Sequence, residues 1–315
     1  MNADATSPRI AVVGVSSLIG GAVIDELRAR QFPHSQLYAL DDQHSAGAPV
    51  GDDDAKLTVG DIAAFDFSSV DLAFFCGRTA LSERYAQAAA EHAWVIDGSA
   101  AFRTRGDVPL VAADVNPSAL DRIGTRGLIA LPGSASVALA TALAPLHVRA
   151  GLKRVEVATY QAVSGSGRGA MDELAGETVA MLSGKSPKGR AFGRQIAFNI
   201  IPLVDTLEAD GVSREERRLW EETARVLDLP ALQINATAVR VPVFFGHSLA
   251  VHALFERDLE VTHAVSVLQR GNGISVIDPE SIAEFQTPAT LATAPDRVYV
   301  GRIRADLTRD RGLNF

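Results

Sequence analysis

The chain has 315 residues, 47% of them hydrophobic and 22% charged, with a formal net charge of −8. That apolar content sustains a buried core and excludes disorder as the main state, while the acidic balance argues against nucleic acid or an anionic membrane as partner. A single cysteine, Cys76, excludes a disulfide framework and a zinc ribbon. No apolar run reaches the roughly 20 residues of a membrane span, and the polar N-terminus lacks a signal peptide's build, so a cytoplasmic protein without a metal site is expected.

Arg9-Ile10-Ala11-Val12-Val13 reads as a buried strand ending at Gly14. Ile19, Ala22, Val23 and Leu27 then recur at helical spacing. Further apolar strands are expected at Leu37–Leu40, Val70–Phe75, Ala93–Asp97 and Leu128–Leu131, with a helix over Thr79–His92. Short strands alternating with helices imply a parallel sheet covered on both faces. The fold class is therefore α/β, with residues 1–133 forming a Rossmann-like dinucleotide-binding domain.

The turn after the first strand, Gly14-Val15-Ser16-Ser17-Leu18-Ile19-Gly20, is the candidate phosphate cradle. Its middle glycine is replaced by Ser17, whose hydroxyl can donate to phosphate but whose Cβ crowds the approach. A strand–helix corner that binds nothing is the competing reading. Asp41 lies 21 positions after Gly20, where an acid can accept from a ribose 2′-hydroxyl. Asp41-Asp42 as a solvated loop start is equally consistent with the sequence.

Pro132-Gly133 makes a turn, and Ser134 opens a helix with Val137, Leu139, Leu143 and Leu146 as its apolar positions. Alternating strands follow at Arg154–Val163, Leu232–Pro242, Ser248–Leu254 and Val298–Arg304. Helices at Gly169–Leu182, Ser213–Leu229 and Val261–Gln269 cover one face of their sheet. Residues 134–315 thus form an α+β substrate or dimerisation domain.

Several segments together resemble the aspartate-β-semialdehyde dehydrogenase family. They include Asp97-Gly98-Ser99-Ala100-Ala101-Phe102-Arg103, Thr159-Tyr160-Gln161-Ala162-Val163-Ser164-Gly165, Phe198-Asn199-Ile200-Ile201-Pro202, Val239-Arg240-Val241-Pro242 and Gly246-His247-Ser248, in family order along nearly the whole chain. The resemblance implies reduction of aspartyl phosphate with NADPH in amino-acid biosynthesis, by a homodimer or tetramer. It implies that Gln161 orients the acyl group and that His247 is the acid–base group. Arg240 and Glu215 would hold the substrate's carboxylate and amine, Arg103 and Arg218 would serve the phosphate site, and Gly165 would lie at the cofactor.

The chain departs from the family where the chemistry starts. The family's thiolate comes from a Pro-Asn-Cys-Ser-Thr turn, and the matching stretch is Pro132-Gly133-Ser134-Ala135-Ser136. The nucleophile position is therefore Ser134, which also suits a helix N-cap. Glu216 lies three after Ser213 and completes a capping box, leaving Glu215 unassigned. His247 is equally a core histidine, and Arg103 and Arg240 are equally partners of Asp97 or Glu215. The family's basic Arg-Ser-Ala-Gly-Lys reader is His44-Ser45-Ala46-Gly47-Ala48 here, and the sequence ends at Phe315, where family sequences usually continue into a C-terminal helix: either the sequence is shortened or that helix is absent. The cofactor expectation is NAD or NADP, held weakly or not at all. The functional expectation is a catalytically impaired paralogue that keeps the fold, the homodimer and room for a small ligand. An active NAD(P)-dependent acyl-phosphate oxidoreductase is the alternative.

Overall fold

The computed structural model describes residues 7–51, 56–123, 127–187, 189, 191–277, 284–291 and 296–315. The chain divides into two compact units: Met1–Val111 with Pro117–Pro132, and Ala112–Asn116 with Gly133–Phe315.

In the first unit, β1 (Arg9–Val13) leads through the glycine turn into α1 (Leu18–Ala29) and β2 (Gln36–Asp41). The two-residue strands β3 (Pro49–Val50), β4 (Leu57–Thr58) and β5 (Gly60–Asp61) follow. Next come β6 (Leu72–Phe75), α2 (Thr79–Ala90), β7 (Trp94–Asp97) and β8 (Gly127–Ala130). Six strands form one sheet in the order β5-β2-β1-β6-β7-β8, with every pairing parallel. Ile24 and Leu27 of α1 pack with Ile10, Val12 and Ala39 of the sheet. The chain moves outward from β1 to β2 and then returns to place β6 on the other side of β1. This reversal is the topological switch point where such sheets hold ligands, beyond the strands' C-terminal ends. The strand and helix expectations for this unit hold, with boundaries shifted by one or two residues.

The second unit opens with α3 (Ser134–Ala150), β9 (Leu152–Gln161), α4 (Arg168–Leu182), α5 (Arg214–Val226), β10 (Gln233–Arg240) and β11 (Ser248–Phe255). It continues with α6 (Val261–Gln269), β12 (Ile274–Ile277), α7 (Pro288–Leu291), β13 (Val298–Gly301), β14 (Arg304–Ala305) and β15 (Gly312–Asn314). Its five-stranded mixed sheet runs β10-β9-β11-β15-β14. Leu139, Leu143 and Leu146 of α3, Leu219 of α5 and Leu268 of α6 pack against Val155, Val157, Val251, Ala253 and Phe255. The alternating pattern works as expected: Val155 and Val157 are buried, while Tyr160 on the opposite face is exposed.

Two expectations fail here. The strand anticipated over Val298–Arg304 is interrupted at Arg302, a non-glycine residue with φ of 57°. Its first part, β13, pairs in parallel with β12 in a separate small sheet, and only β14 joins the main one. The helix α4 does not cover that sheet. Its Ala170 and Leu174 pack with Val163, Ile196 and Ala197 in a core of their own. Among the described residues no helix is long and apolar enough to cross a membrane.

Candidate active site

The sheet of the second unit brings four polar side chains to one end. Gln161 ends β9, Arg240 ends the parallel strand β10, and the two are register partners. His247 precedes β11, whose first residue, Ser248, pairs with Tyr160. Glu215 arrives on the first turn of α5, a helix started by the Ser213–Glu216 capping box read from the sequence. Glu216 also accepts from the Ala238 amide at 2.9 Å, tying this helix start to β10. Glu215 is thereby left to face the sheet, and its Oε1 accepts from Gln161 Nε2 at 2.9 Å.

Ala162 joins the remaining pair. Its amide donates to His247 Nδ1 at 3.1 Å, and its carbonyl accepts from Arg240 Nη1 at 2.7 Å. Because Nδ1 accepts a backbone N–H, the proton of the neutral ring is on Nε2. Burial, reinforced by the Arg240 charge, pushes the His247 imidazole down to about 4. Burial likewise lowers the Arg240 guanidinium, against the pull of Glu215 and Asp205. Arg240 is 5% exposed, and its Nε has no hydrogen-bond partner among the described residues. The guanidinium stands 5.7 Å from the Phe192 ring centroid. Gly165 belongs to this cluster: a Cβ there would lie 3.2 Å from Arg240 Nη1 and 3.4 Å from His247 Cε1. The resemblance implies a place for Gly165 at the cofactor, and in the structure its neighbours include Arg240 and His247. A desolvated arginine with an unsatisfied donor, beside a carboxylate and a histidine that presents Nε2–H, can hold a small anionic ligand.

Other expected residues lie outside this network. Arg218 Nη1 is paired with Asp205 Oδ2 at 2.7 Å, so its charge is already balanced. Arg103 belongs to the first unit, where Nη2 donates to the Gly98 carbonyl at 2.8 Å and the cation acts on Asp97. Ser134 is not the N-cap. Gly133 occupies that position, and Ser134 is the first helical residue, exposed and with no side-chain hydrogen-bond partner among the described residues. The Gly133 amide instead donates to Glu222 Oε2 at 2.7 Å, from a carboxylate 1% exposed on α5. Sequence reasoning missed Glu222, although it interrupts the apolar face marked by Leu219 and Val226. Asp205 carried no local signal.

Cys76 follows β6 directly and is buried, and burial pushes its thiol up to about 12. It is inert as a nucleophile at neutral pH. No group of three or more His, Cys, Asp or Glu among the described residues is placed to hold a metal ion.

The glycine turn of the first unit fits a dinucleotide through backbone rather than side chains. Gly14 has φ of 81°, and a Cβ there would lie 2.2 Å from Gly77 Cα, so glycine is required. A Cβ at Gly20 would meet the Gly14 carbonyl at the same distance. Ser17 caps α1: its Oγ accepts from the Gly20 amide at 2.9 Å and donates to the Cys76 carbonyl at 2.8 Å. Its side chain is thus engaged inside the turn. Ser16 donates through N and Oγ to Asp41 Oδ2, at 3.0 and 2.5 Å. Asp41 is 3% exposed and also accepts from the Asp42 amide at 2.8 Å. It therefore braces the turn from within, bonded to Ser16 rather than standing free at the rim. Among the described residues the Leu18 and Ile19 amides have no hydrogen-bond partner at the positive end of α1, where they suit a pyrophosphate.

Comparison with known proteins agrees with this layout. Residues 9–123 match the family model "Semialdehyde dehydrogenase, NAD binding domain", and residues 143–315 match "Semialdehyde dehydrogenase, dimerisation domain". The aspartate-semialdehyde dehydrogenase of Legionella pneumophila is 38% identical over 307 residues, covering 97% of this chain and 88% of that protein. A relative from Shewanella sp. (strain DB6705) with the same name is also 38% identical over 307 residues, covering 97% and 90%. The crystal structure of aspartate semialdehyde dehydrogenase II from Vibrio cholerae superimposes with a TM-score of 0.94 at 34% identity, covering 98% of this chain and 92% of that one. With both domains matched and nearly every residue aligned, the chain belongs to the aspartate-semialdehyde dehydrogenase family.

Proposed function

We propose that this protein is a catalytically impaired member of its family, one that keeps the dinucleotide-binding fold, the homodimer and the small-ligand site. The observation that carries the reading is the placement of the sole thiol. Cys76 is buried beside β6 with its pKa pushed up to about 12, and the residue opening α3 is Ser134. The acyl-transfer step that the family resemblance implies needs a thiolate. A serine hydroxyl substitutes only when a base removes its proton, and Ser134 has no hydrogen-bonded base among the described residues. An ester would also accept hydride less readily than a thioester.

The rest of the cluster supports a binding role. Arg240 supplies a buried cation for a carboxylate, Glu215 an acceptor for an amine, and His247 Nε2–H a neutral donor. Gln161 is oriented by Glu215. Among the first unit's residues, the Leu18 and Ile19 amides would hold the pyrophosphate of NAD or NADP, and the nicotinamide supplies hydride chemistry when bound. The exposed outward face at Tyr160, together with the matched dimerisation domain, supports a homodimer.

The second reading, an active NAD(P)-dependent oxidoreductase, is favoured by the assembled Gln161, Glu215, Arg240 and His247. An assay with aspartate semialdehyde, phosphate and either NAD or NADP separates the two. Impairment predicts no reduced cofactor above background with either; turnover at rates typical of the family establishes the oxidoreductase.

A further inference from the structure

Asp42 and Arg78 form an ion pair at the switch point of the first unit's sheet. Asp42 follows the last residue of β2, and Arg78 lies just beyond β6, at the N-cap of α2. Arg78 Nη2 bonds Asp42 Oδ2, while Asp42 Oδ1 accepts the His44 amide at 3.1 Å. The His44 ring approaches the same carboxylate at 3.8 Å. The Arg78 side chain is 73% exposed, against 23% for Asp42.

Arginine is a poor choice there for stability alone. N-caps favour Ser, Thr, Asp or Asn, and α2 has no side-chain cap bond. A cation at a helix N-terminus also opposes the helix dipole. An exposed ion pair contributes too little to offset both. What the position offers is location. The approach of Gly14 to Gly77 locks the turns after β1 and β6 together, so Arg78 and Asp42 flank the turn whose Leu18 and Ile19 amides suit a pyrophosphate. In a doubly wound sheet the ribose of the adenosine half lies toward the end of β2. Asp41, the acid that spacing nominates, is buried against Ser16 and has no face to offer.

Resting on the dinucleotide-binding part of the proposed function, we infer that Asp42 and Arg78 are the specificity-determining residues of the adenosine-ribose subsite. Asp42 accepts from the ribose hydroxyls and repels a 2′-phosphate. It also neutralises Arg78, which with His44 would otherwise attract that phosphate. The subsite therefore selects NADH over NADPH through the acid and holds a latent NADPH reader beside it.

The test is titration of the full-length protein with NADH and NADPH by calorimetry or ligand fluorescence, with 5′-AMP and adenosine 2′,5′-bisphosphate as adenosine-side probes. The unmodified protein binds NADH more tightly. Asp42→Asn shifts the preference toward NADPH by about tenfold or more, and adding Arg78→Ala removes that gain. The two AMP probes shift in the same sense. Both substitutions are on side chains at the surface, and circular dichroism checks that each variant is folded. An NADPH preference in the unmodified protein, or a ratio unchanged by Asp42→Asn, overturns the assignment while leaving dinucleotide binding intact. No binding of either cofactor up to about millimolar concentration by the folded protein overturns both.

Discussion

Arg240 and His247 are coupled through one residue: Ala162 gives its carbonyl to the guanidinium and its amide to the imidazole. The arrangement fixes both side chains against the end of β9, where burial, reinforced by the neighbouring cation, holds the histidine neutral. A ligand carboxylate entering here meets a charged donor and a neutral one, both already oriented.

The depressed His247 pKa makes stability depend on pH. The unfolded histidine titrates near 6.5, whereas the folded one titrates at about 4. Between those values the unfolded chain binds a proton that the folded chain refuses, so this contribution is present above pH 6.5 and is lost as pH falls toward 4. Full loss is on the order of 3 kcal/mol. Denaturant midpoints at pH 7 and pH 4 should fall further for the unmodified protein than for His247→Gln. Equal falls would show that His247 does not carry the effect.

Thiol labelling reports the same separation of roles as the assay. Native protein should resist Ellman's reagent until it unfolds, because Cys76 is buried and its thiol pKa is raised to about 12. Ser134→Cys should add one thiol that reacts in the native state, because the Ser134 position is exposed. Its stability should stay within about 0.5 kcal/mol of the parent. Rapid labelling of native unmodified protein would contradict the burial of Cys76.

Glu222 should matter more to folding than its distance in sequence from Gly133 suggests. Glu222→Ala strands the Gly133 amide and opens space in the core, which should cost about 2–4 kcal/mol by urea unfolding. Glu222→Gln keeps an acceptor for that amide and should cost less. Equal losses in the two variants would point to the charge, rather than the Gly133 bond, as the stabilising feature.

Association is the remaining expectation. Sedimentation at micromolar concentration should give twice the 33.3 kDa chain mass. Tyr160→Arg, on the exposed face of β9, should shift the protein toward monomer by placing like charges at a two-fold contact. A monomeric parent would remove the dimer from the proposed function.

The sequence by itself determined what depends on neighbours along the chain. Period-two and period-3.6 apolar patterns located β1, β2, α3, β9, β10 and β11, and the four-residue span Ser213–Glu216 specified its own capping box. Gln161, Glu215, Arg240 and His247 were nameable from the resemblance. Only the tertiary structure decided which groups those side chains meet. Asp41 and Asp42 are adjacent and chemically identical, yet Asp41 ends β2 and is buried against Ser16, while Asp42, just beyond the strand, reaches the rim to meet Arg78. Ser134 resembles a cap in sequence, but it is the first helical residue; the cap is Gly133, whose amide is taken by Glu222, 89 positions away. Hydrogen-bond partners of buried groups are chosen by which strands and helices pack together, and that choice is made between residues far apart in the chain.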